Sequence, residues 1–301
     1  MASLSHRAFY ATAERQGGPR TENLLAGFTD ARSAWTIQSR HLLSFHSRTC
    51  PHRIQRVTML KWGSDRFNGA APAGCALLLV LLEGLESNTI RGSIYGRDWG
   101  YESDIAPQSW LSRFKYCAGS RQSPINIDMS KVVVNSSLGR VILHGFKDKR
   151  VYTVKNIGST VLVLPALHDP PIGLVSENDE DRYHFHSAHF HWTSEHAING
   201  QYYSLEAHFV LHNEKYHDVA EALNYPDGLE VVSTMFALSP YSNNPRLRVL
   251  IDAVAHVLEP EYSINVTMAL EDILPGYISA YFRYEGSLTV PTCDEASGNE
   301  P

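Results

Sequence analysis

The sequence has few cysteines and little excess charge of either sign. Only four cysteines occur among 301 residues, and none forms a Cys-x-x-Cys pair, so a metal site built from sulfur ligands is not expected. The net charge of -6 comes without a basic patch, which argues against nucleic acid as a partner. No internal repeat is present. With 43% apolar residues, the chain can nevertheless bury a hydrophobic core.

The first 92 residues differ in composition from the rest. Residues 1–58 contain eight arginines, no lysine and three acidic residues, and we interpret them as a disordered leader or a gene-model extension. From Met59, basic residues precede an apolar stretch at 71–82, a pattern typical of a secretory signal peptide over residues 59–92. This favours a secreted protein or the extracellular face of a membrane. The alternatives are a mitochondrial presequence within residues 1–58, or a leader with one short buried helix.

From Gly96 onward, short runs rich in β-branched and aromatic residues predict strands separated by turns. These runs are "RVILHGF", "RVYTVKNIGSTVLVLP", "YHFHSAHFHW", "YSLEAHFVLHN" and "LEVVSTMFAL". A helical apolar stripe occurs mainly in residues 244–260, and Pro260 is expected to end that helix. The pattern therefore predicts one strand-dominated domain with few helices.

A group of histidines suggests a metal site. His189 and His191 are two residues apart, so on a strand they project from the same face. Asn199-Gly200 predicts a tight hairpin that brings His208 opposite them. Three neutral imidazoles suit Zn²⁺ and leave a fourth position for water, whose pKa the metal lowers to roughly 7. Glu206 lies on the same strand face as His208 and is the candidate acceptor that fixes its tautomer.

Histidine is common in this region, so spacing alone leaves the ligand set open. A His-x-His pattern is frequent in proteins without a metal, and His196 and His212 also lie nearby. His184 and His186 repeat the spacing and could compete with His189 and His191 for the ligand role.

Longer motifs carry a resemblance to a known family. The segment from His189 to Asn213 resembles the zinc-site signature of the α-class carbonic anhydrases, through the residues His189, His191, Glu195, His196, Glu206, His208 and Asn213. Further motifs follow the family's order: "WGY" at 99–101, "RQSPINID" at 121–128, "PDGLEV" at 226–231 and "GSLTVP" at 286–291. The resemblance covers roughly residues 97–295. It implies a mainly β fold with a few short helices (α+β), as a single domain over 93–295. A large, mostly antiparallel twisted sheet would hold the zinc site in a central cleft.

The resemblance also implies residue roles. Zinc would bind His189, His191 and His208, and Thr289 would orient the zinc hydroxide while donating its own hydroxyl to Glu195. The reaction would be the reversible hydration of CO2 to bicarbonate and a proton, catalysed by a zinc lyase. Val210, Val231 and Leu288 match the apolar wall where CO2 rests in the family. Tyr101 matches a residue of the solvent network. Cys117 and Cys293 match the disulfide of the family's secreted members. The sequons at Asn135 and Asn265 would be glycosylated in the same oxidising compartment.

Several positions depart from the family pattern. Ser159 stands where fast members have a proton-shuttling histidine, so we expect slow turnover that imidazole buffer rescues. Ser187 replaces a glutamine that supports the first zinc histidine, and Leu162 and Val290 make the cavity more apolar. The loop between Trp192 and Ser194 is short.

The last residues also depart from the family. Residues 296–301 read as an unrelated tail after a C-terminally incomplete domain. The alternative function is therefore a catalytically weak or inactive carbonic-anhydrase-related binding or structural protein. Hydrolysis of esters is a third reading, as a side activity of the same hydroxide.

Overall fold

Strands account for most of the regular structure. The computed structural model describes residues 99–295, apart from 102, 167–169, 179, 239–243, 277 and 279, together with the backbone of two strands nearer the N-terminus. The strands are β1 Tyr10–Ala13, β2 Arg56–Leu60, β3 Asn126–Ile127, β4 Val132–Val134, β5 Val141–His144, β6 Arg150–Asn156, β7 Val161–Pro165, β8 Gly173–Ser176, β9 Arg182–His191, β10 Ala197–Ile198, β11 Leu205–Asn213, β12 Leu229–Phe236, β13 Ser263–Met268 and β14 Tyr281–Glu285.

The helices are few and short, as predicted. They are α1 Pro107–Arg113, α2 Val219–Ala222 and α3 Arg248–Val254, with 3₁₀ turns at Ser103–Ile105, Lys115–Ala118, Ser136–Leu138, Pro245–Leu247 and Leu270–Ile273. No helix in the described part of the chain is long and apolar enough to cross a membrane. Most of the predicted leader and signal peptide, and the tail at 296–301, lie outside the described residues.

One large sheet organises the domain. Its strand order is β13-β6-β7-β9-β11-β12-β2-β14-β1-β4, and β8 joins β5 to β9 at the side of this path. Most neighbours are antiparallel, whereas β12 with β2 and β1 with β14 are parallel. The second sheet described is the parallel pair of β10 and β3. The mainly β, mostly antiparallel single-domain fold predicted from the sequence is therefore confirmed.

Alternation along the strands separates the core from the site. On β9, the aromatic side chains of Tyr183, Phe185 and Phe190 are buried in the core. Phe185 packs against Phe209 of β11 and against Phe146, with ring centroids 6.3 and 6.1 Å apart. Because successive side chains on a strand point to opposite faces, the histidines that alternate with these aromatics lie on the other face of the sheet.

The predicted helical stripe is buried, but the helix is shorter than expected. The stripe of Leu247, Leu250, Ile251, Val254 and Val257 lies in the main core. Helix α3 ends at Val254, so the prediction that it continues to Pro260 is wrong. The side-chain amide of Asn156 donates to the carbonyl oxygens of Val257 (2.9 Å) and Leu258 (3.0 Å). These bonds hold the chain in a turn where helix carbonyls would otherwise accept from the following turn.

Two long-range connections close the domain. The disulfide between Cys117 and Cys293 joins residues 176 positions apart and confirms the predicted pairing. Strand β2 lies between β12 and β14, with Thr58 opposite Val232 on one side and Arg283 on the other. This strand runs across the boundary predicted at Met59. The assignments of residues 1–58 and 59–92 stay predictions.

Candidate metal centre

Two adjacent strands bring three histidines together. In the antiparallel pairing of β9 with β11, His189 lies directly opposite His208, and His191 follows two residues later on the same strand. The turn before β11 has left-handed backbone at Asn199 (φ 49°) and Gly200 (φ 77°), which matches the tight hairpin predicted from this dipeptide. The three ring centroids are 4.6–5.0 Å apart. One nitrogen from each ring lies within 4.8 Å of the others, so the set can share one cation.

The donor atoms fit a metal that binds neutral imidazole. Burial lowers the pKa of His189 to about 3 and that of His191 well below its usual value, so both rings are neutral at physiological pH. Within the described residues, Nε2 of His191 is a buried atom without a hydrogen-bond partner. A buried nitrogen lone pair left unpaired costs free energy unless a ligand uses it. Three nitrogen donors of this kind match the coordination of a catalytic zinc with an open fourth position.

Glu206 orients the third histidine. Its Oε1 lies 2.7 Å from Nε2 of His208 and 2.6 Å from Nδ1 of His196, and its Oε2 accepts from the backbone N–H of His196 at 2.9 Å. Burial alone would raise the pKa of Glu206, but the neighbouring imidazoles outweigh it and hold the pKa well below the usual range. Because Nε2 of His208 is engaged by this carboxylate, Nδ1 is the nitrogen that can bind a metal.

A buried network of hydrogen bonds extends beyond Glu206, and the sequence predicted only part of it. Nε2 of His196 lies 2.6 Å from the hydroxyl of Tyr284 on β14, and that hydroxyl donates to Ser123 at 2.7 Å. His196, Glu206 and His208 also have ligand atoms within 4.8 Å of one another. Both ring nitrogens of His196 are hydrogen bonded, so this group is a network and not a second open site. Sequence reasoning missed Tyr284 because no spacing rule links it to a histidine 88 residues earlier.

Glu195 and Thr289 lie beside the histidines. Oε1 of Glu195 is 3.2 Å from Nδ1 of His191, and Oε2 is 3.9 Å from Nε2 of His208. Burial raises the pKa of the Glu195 carboxyl, and the nearby hydroxyl of Thr289 opposes that shift. Their catalytic roles stay predictions.

The structure brings together only some of the residues predicted to form the apolar wall. Val210 lies directly opposite Val231 on β12 and opposite Ser187 on β9. Leu162 of β7 pairs with His189, which places an apolar side chain next to the first histidine. Leu288, half-buried, adjoins Thr289. The roles of these residues stay predictions.

Other predicted site residues lie further from the histidines. Val290 packs against the cluster that contains the disulfide, and Tyr101 is 48% exposed against Trp99 and Trp110. Ser159 lies in the turn between β6 and β7. Asn265 is an exposed residue of β13, and Asn135 precedes the 3₁₀ turn at Ser136–Leu138. The roles of these five positions stay predictions.

The fold and the histidines define a class of protein: those with a three-histidine cluster, able to bind one metal ion, on a large and mostly antiparallel sheet. Comparison with known proteins identifies the family. A sequence model of the eukaryotic-type carbonic anhydrases matches residues 105–297. The chain therefore belongs to the carbonic anhydrase family, whose members depend on zinc.

Several relatives are similar over the same region. The chain is 30% identical to carbonic anhydrase 6 of Mus musculus over 66% of this chain and 65% of that protein. It is 31% identical to carbonic anhydrase 6 of Homo sapiens, with 66% and 67% covered, and 33% identical to carbonic anhydrase 4 of Oryctolagus cuniculus, with 65% and 67% covered. The chain spans about two thirds of the length of these curated relatives.

Proposed function

We propose that this protein hydrates CO2 reversibly to bicarbonate and a proton, with Zn²⁺ held by His189, His191 and His208. The observation that carries the proposal is the convergence of three imidazole nitrogens within 4.8 Å, with Glu195 beside them and 3.2 Å from His191. Carbonic-anhydrase-related binding proteins characteristically lack one or more of the three histidines, and this chain keeps all of them.

The chain's own residues would divide the work. Zinc bound there supplies hydroxide at neutral pH, because it lowers the pKa of water to about 7. Glu206 fixes the tautomer of His208. Thr289 would donate a hydrogen bond to Glu195, which would leave its oxygen as an acceptor that can orient the attacking group. Val210 and Val231, with Leu288, would offer a nonpolar surface on which an uncharged gas can rest.

The proposed location is outside the cell or on the extracellular face of a membrane. A disulfide such as that between Cys117 and Cys293 persists in oxidising compartments. Asn265 is exposed on its strand, as a glycan acceptor needs to be. The mitochondrial alternative rests on the composition of residues 1–58 alone.

The test is to measure zinc content and CO2 hydration on the same purified protein. We expect one tightly held zinc and measurable hydration. Thr289→Ala should keep the zinc and lose at least about 100-fold in turnover, the scale of one well-placed hydrogen-bonding group. Thr153→Ala is the matched control, because its hydroxyl bonds to Asn265 on the far strand β13. Full zinc occupancy without hydration would instead favour the related binding or structural protein.

A further inference from the structure

The strands that carry the zinc histidines carry a second set of three. His184 and His186 lie on β9 and His212 lies on β11. His184 is directly opposite His212, just as His189 is directly opposite His208. In both sets, one strand adds another histidine two positions along the chain. The proposed zinc hydration uses none of the three residues in the second set.

A bulge in β9 places the second set on the same face of the sheet as the first. Ser187 pairs with Val210, but Phe185 pairs with Leu211, so His186 is the extra residue. The extra residue and the residue after it both lie opposite Val210, so His186 and Ser187 share the face of Val210 and His212. Phe185 and Leu211 are buried in the core on the opposite face. His186 therefore projects alongside the cross-strand pair.

The side chains leave donor atoms available. The rings of His184 and His212 meet edge to face with centroids 5.8 Å apart. Within the described residues, Nδ1 of His212 is buried and has no hydrogen-bond partner. Oε2 of Glu214 lies 3.6 Å from Nε2 of His184 and adds a carboxylate oxygen to the group. Burial lowers the pKa of both His186 and His212, even though Asp218 opposes the shift in each case, so both imidazoles have lone pairs free near neutral pH.

We propose that His184, His186 and His212 form a second binding site for a late first-row divalent cation, with Glu214 as an additional oxygen ligand. Imidazole with a carboxylate suits Zn²⁺ and Cu²⁺. The second site is looser than the first. Only the two groups around His208 have all ligand atoms within 4.8 Å in the described part of the chain, so the second set must rotate its rings to close on an ion. Its rings can do so, because His184 is 35% exposed and His186 is exposed.

Counting bound zinc tests the proposal without any measurement of activity. Equilibrium dialysis of the purified protein against increasing Zn²⁺ should reveal two classes of site, one tight and one weaker. His184→Gln and His212→Ala should each lose the weaker class and keep the tight one. His256→Gln is the matched control, because His256 is exposed on the surface and bonds to the carbonyl oxygen of Asp252.

The chemical identity of the ligands can be read separately. Cu²⁺ added to the zinc-loaded protein should give an electron paramagnetic resonance spectrum with hyperfine splitting from at least two imidazole nitrogens, and His184→Gln should abolish it. A single class of zinc in the unaltered protein, or a weaker class and a copper spectrum that survive His184→Gln, would overturn the second site. Since retained tight zinc reports that the variant is folded, failure of the second site is distinguishable from failure of the first.

Discussion

The two halves of the central sheet are assembled in different ways. The half that carries the metal centre consists of β7, β9, β11 and β12, which come from one stretch of chain and pair as antiparallel neighbours. The other half consists of β2, β14, β1 and β4, whose residues are drawn from four distant parts of the sequence. Strands joined by short connections lose little conformational entropy when they pair, whereas distant segments lose more entropy on loop closure before they pair. The geometry of the site therefore depends on local pairing, whereas the closure of the sheet depends on pairing between distant segments.

Removing a histidine should affect the first half without opening the second. His189→Ala takes one of three nitrogen donors from the site, and we expect loss of the tight zinc and of CO2 hydration, with little change in far-ultraviolet circular dichroism. His256→Ala, on the exposed surface, should change neither quantity. One equivalent of tight zinc retained by His189→Ala would show that the three rings do not share one ion.

Disrupting strand β2 should affect the second half of the sheet and lower the stability of the protein. Thr58→Pro removes a backbone donor from a strand that pairs on both sides, with β12 and with β14. An unmade buried hydrogen bond costs about 1–3 kcal/mol, so we expect a drop of at least that size in the free energy of unfolding measured with urea.

Val134→Pro is the control for this strand. Val134 is 61% exposed on β4, at the end of the described sheet, where proline is better tolerated. Its effect should be clearly smaller. Equal stability of Thr58→Pro and the unaltered protein would mean that the sheet closes without β2, and the predicted start at Met59 would then be compatible with the fold.

This contrast also explains what could be predicted from the sequence. The strands around the zinc site were predicted because alternation, a turn at Asn199-Gly200 and histidine spacing are all local signals. Strand β2 was not predicted, since "RVTML" lies in a stretch without regular pattern and its partners are more than 170 residues away. Composition even favoured a leader there. Pairing between distant segments leaves no periodic trace in either one.

The residues of the site also differ in whether local sequence signals could predict them. The three histidines were singled out by their spacing together with the family resemblance, and the contact of Glu206 with His208 follows from their position on one strand. Tyr284 could not be found in this way, although it lies 2.6 Å from His196. It is the point at which the distant half of the sheet touches the polar network of the metal half. Besides the pairing of β12 with β2, this hydroxyl group therefore connects the two halves of the sheet.

Weakening this network should lower zinc affinity by a moderate amount. Glu206→Gln leaves the fold and all three ligands in place but replaces the carboxylate that holds His208, so we expect zinc to bind roughly 10–100-fold more weakly. Tyr284→Phe acts one bond further away and should have a smaller effect. Competition with a chelator measures both, and Glu177→Gln, at an exposed ion pair with Arg140, is the control. A larger effect of Tyr284→Phe would mean that the distant half dominates the site.

The smallest expected effect concerns the release of the proton. Ser159 cannot accept a proton near neutral pH, whereas an imidazole can, so the proton formed in hydration must leave through buffer or another histidine. Turnover of the unaltered protein should rise with added imidazole at constant pH. Ser159→His should raise turnover several-fold at low buffer and make it less dependent on imidazole, without changing kcat/KM. The position lies in the turn between β6 and β7, outside the strand pairing of the sheet, so this change should leave urea unfolding unaltered. If turnover of the unaltered protein does not depend on buffer concentration, a residue of the chain already transfers the proton to solvent.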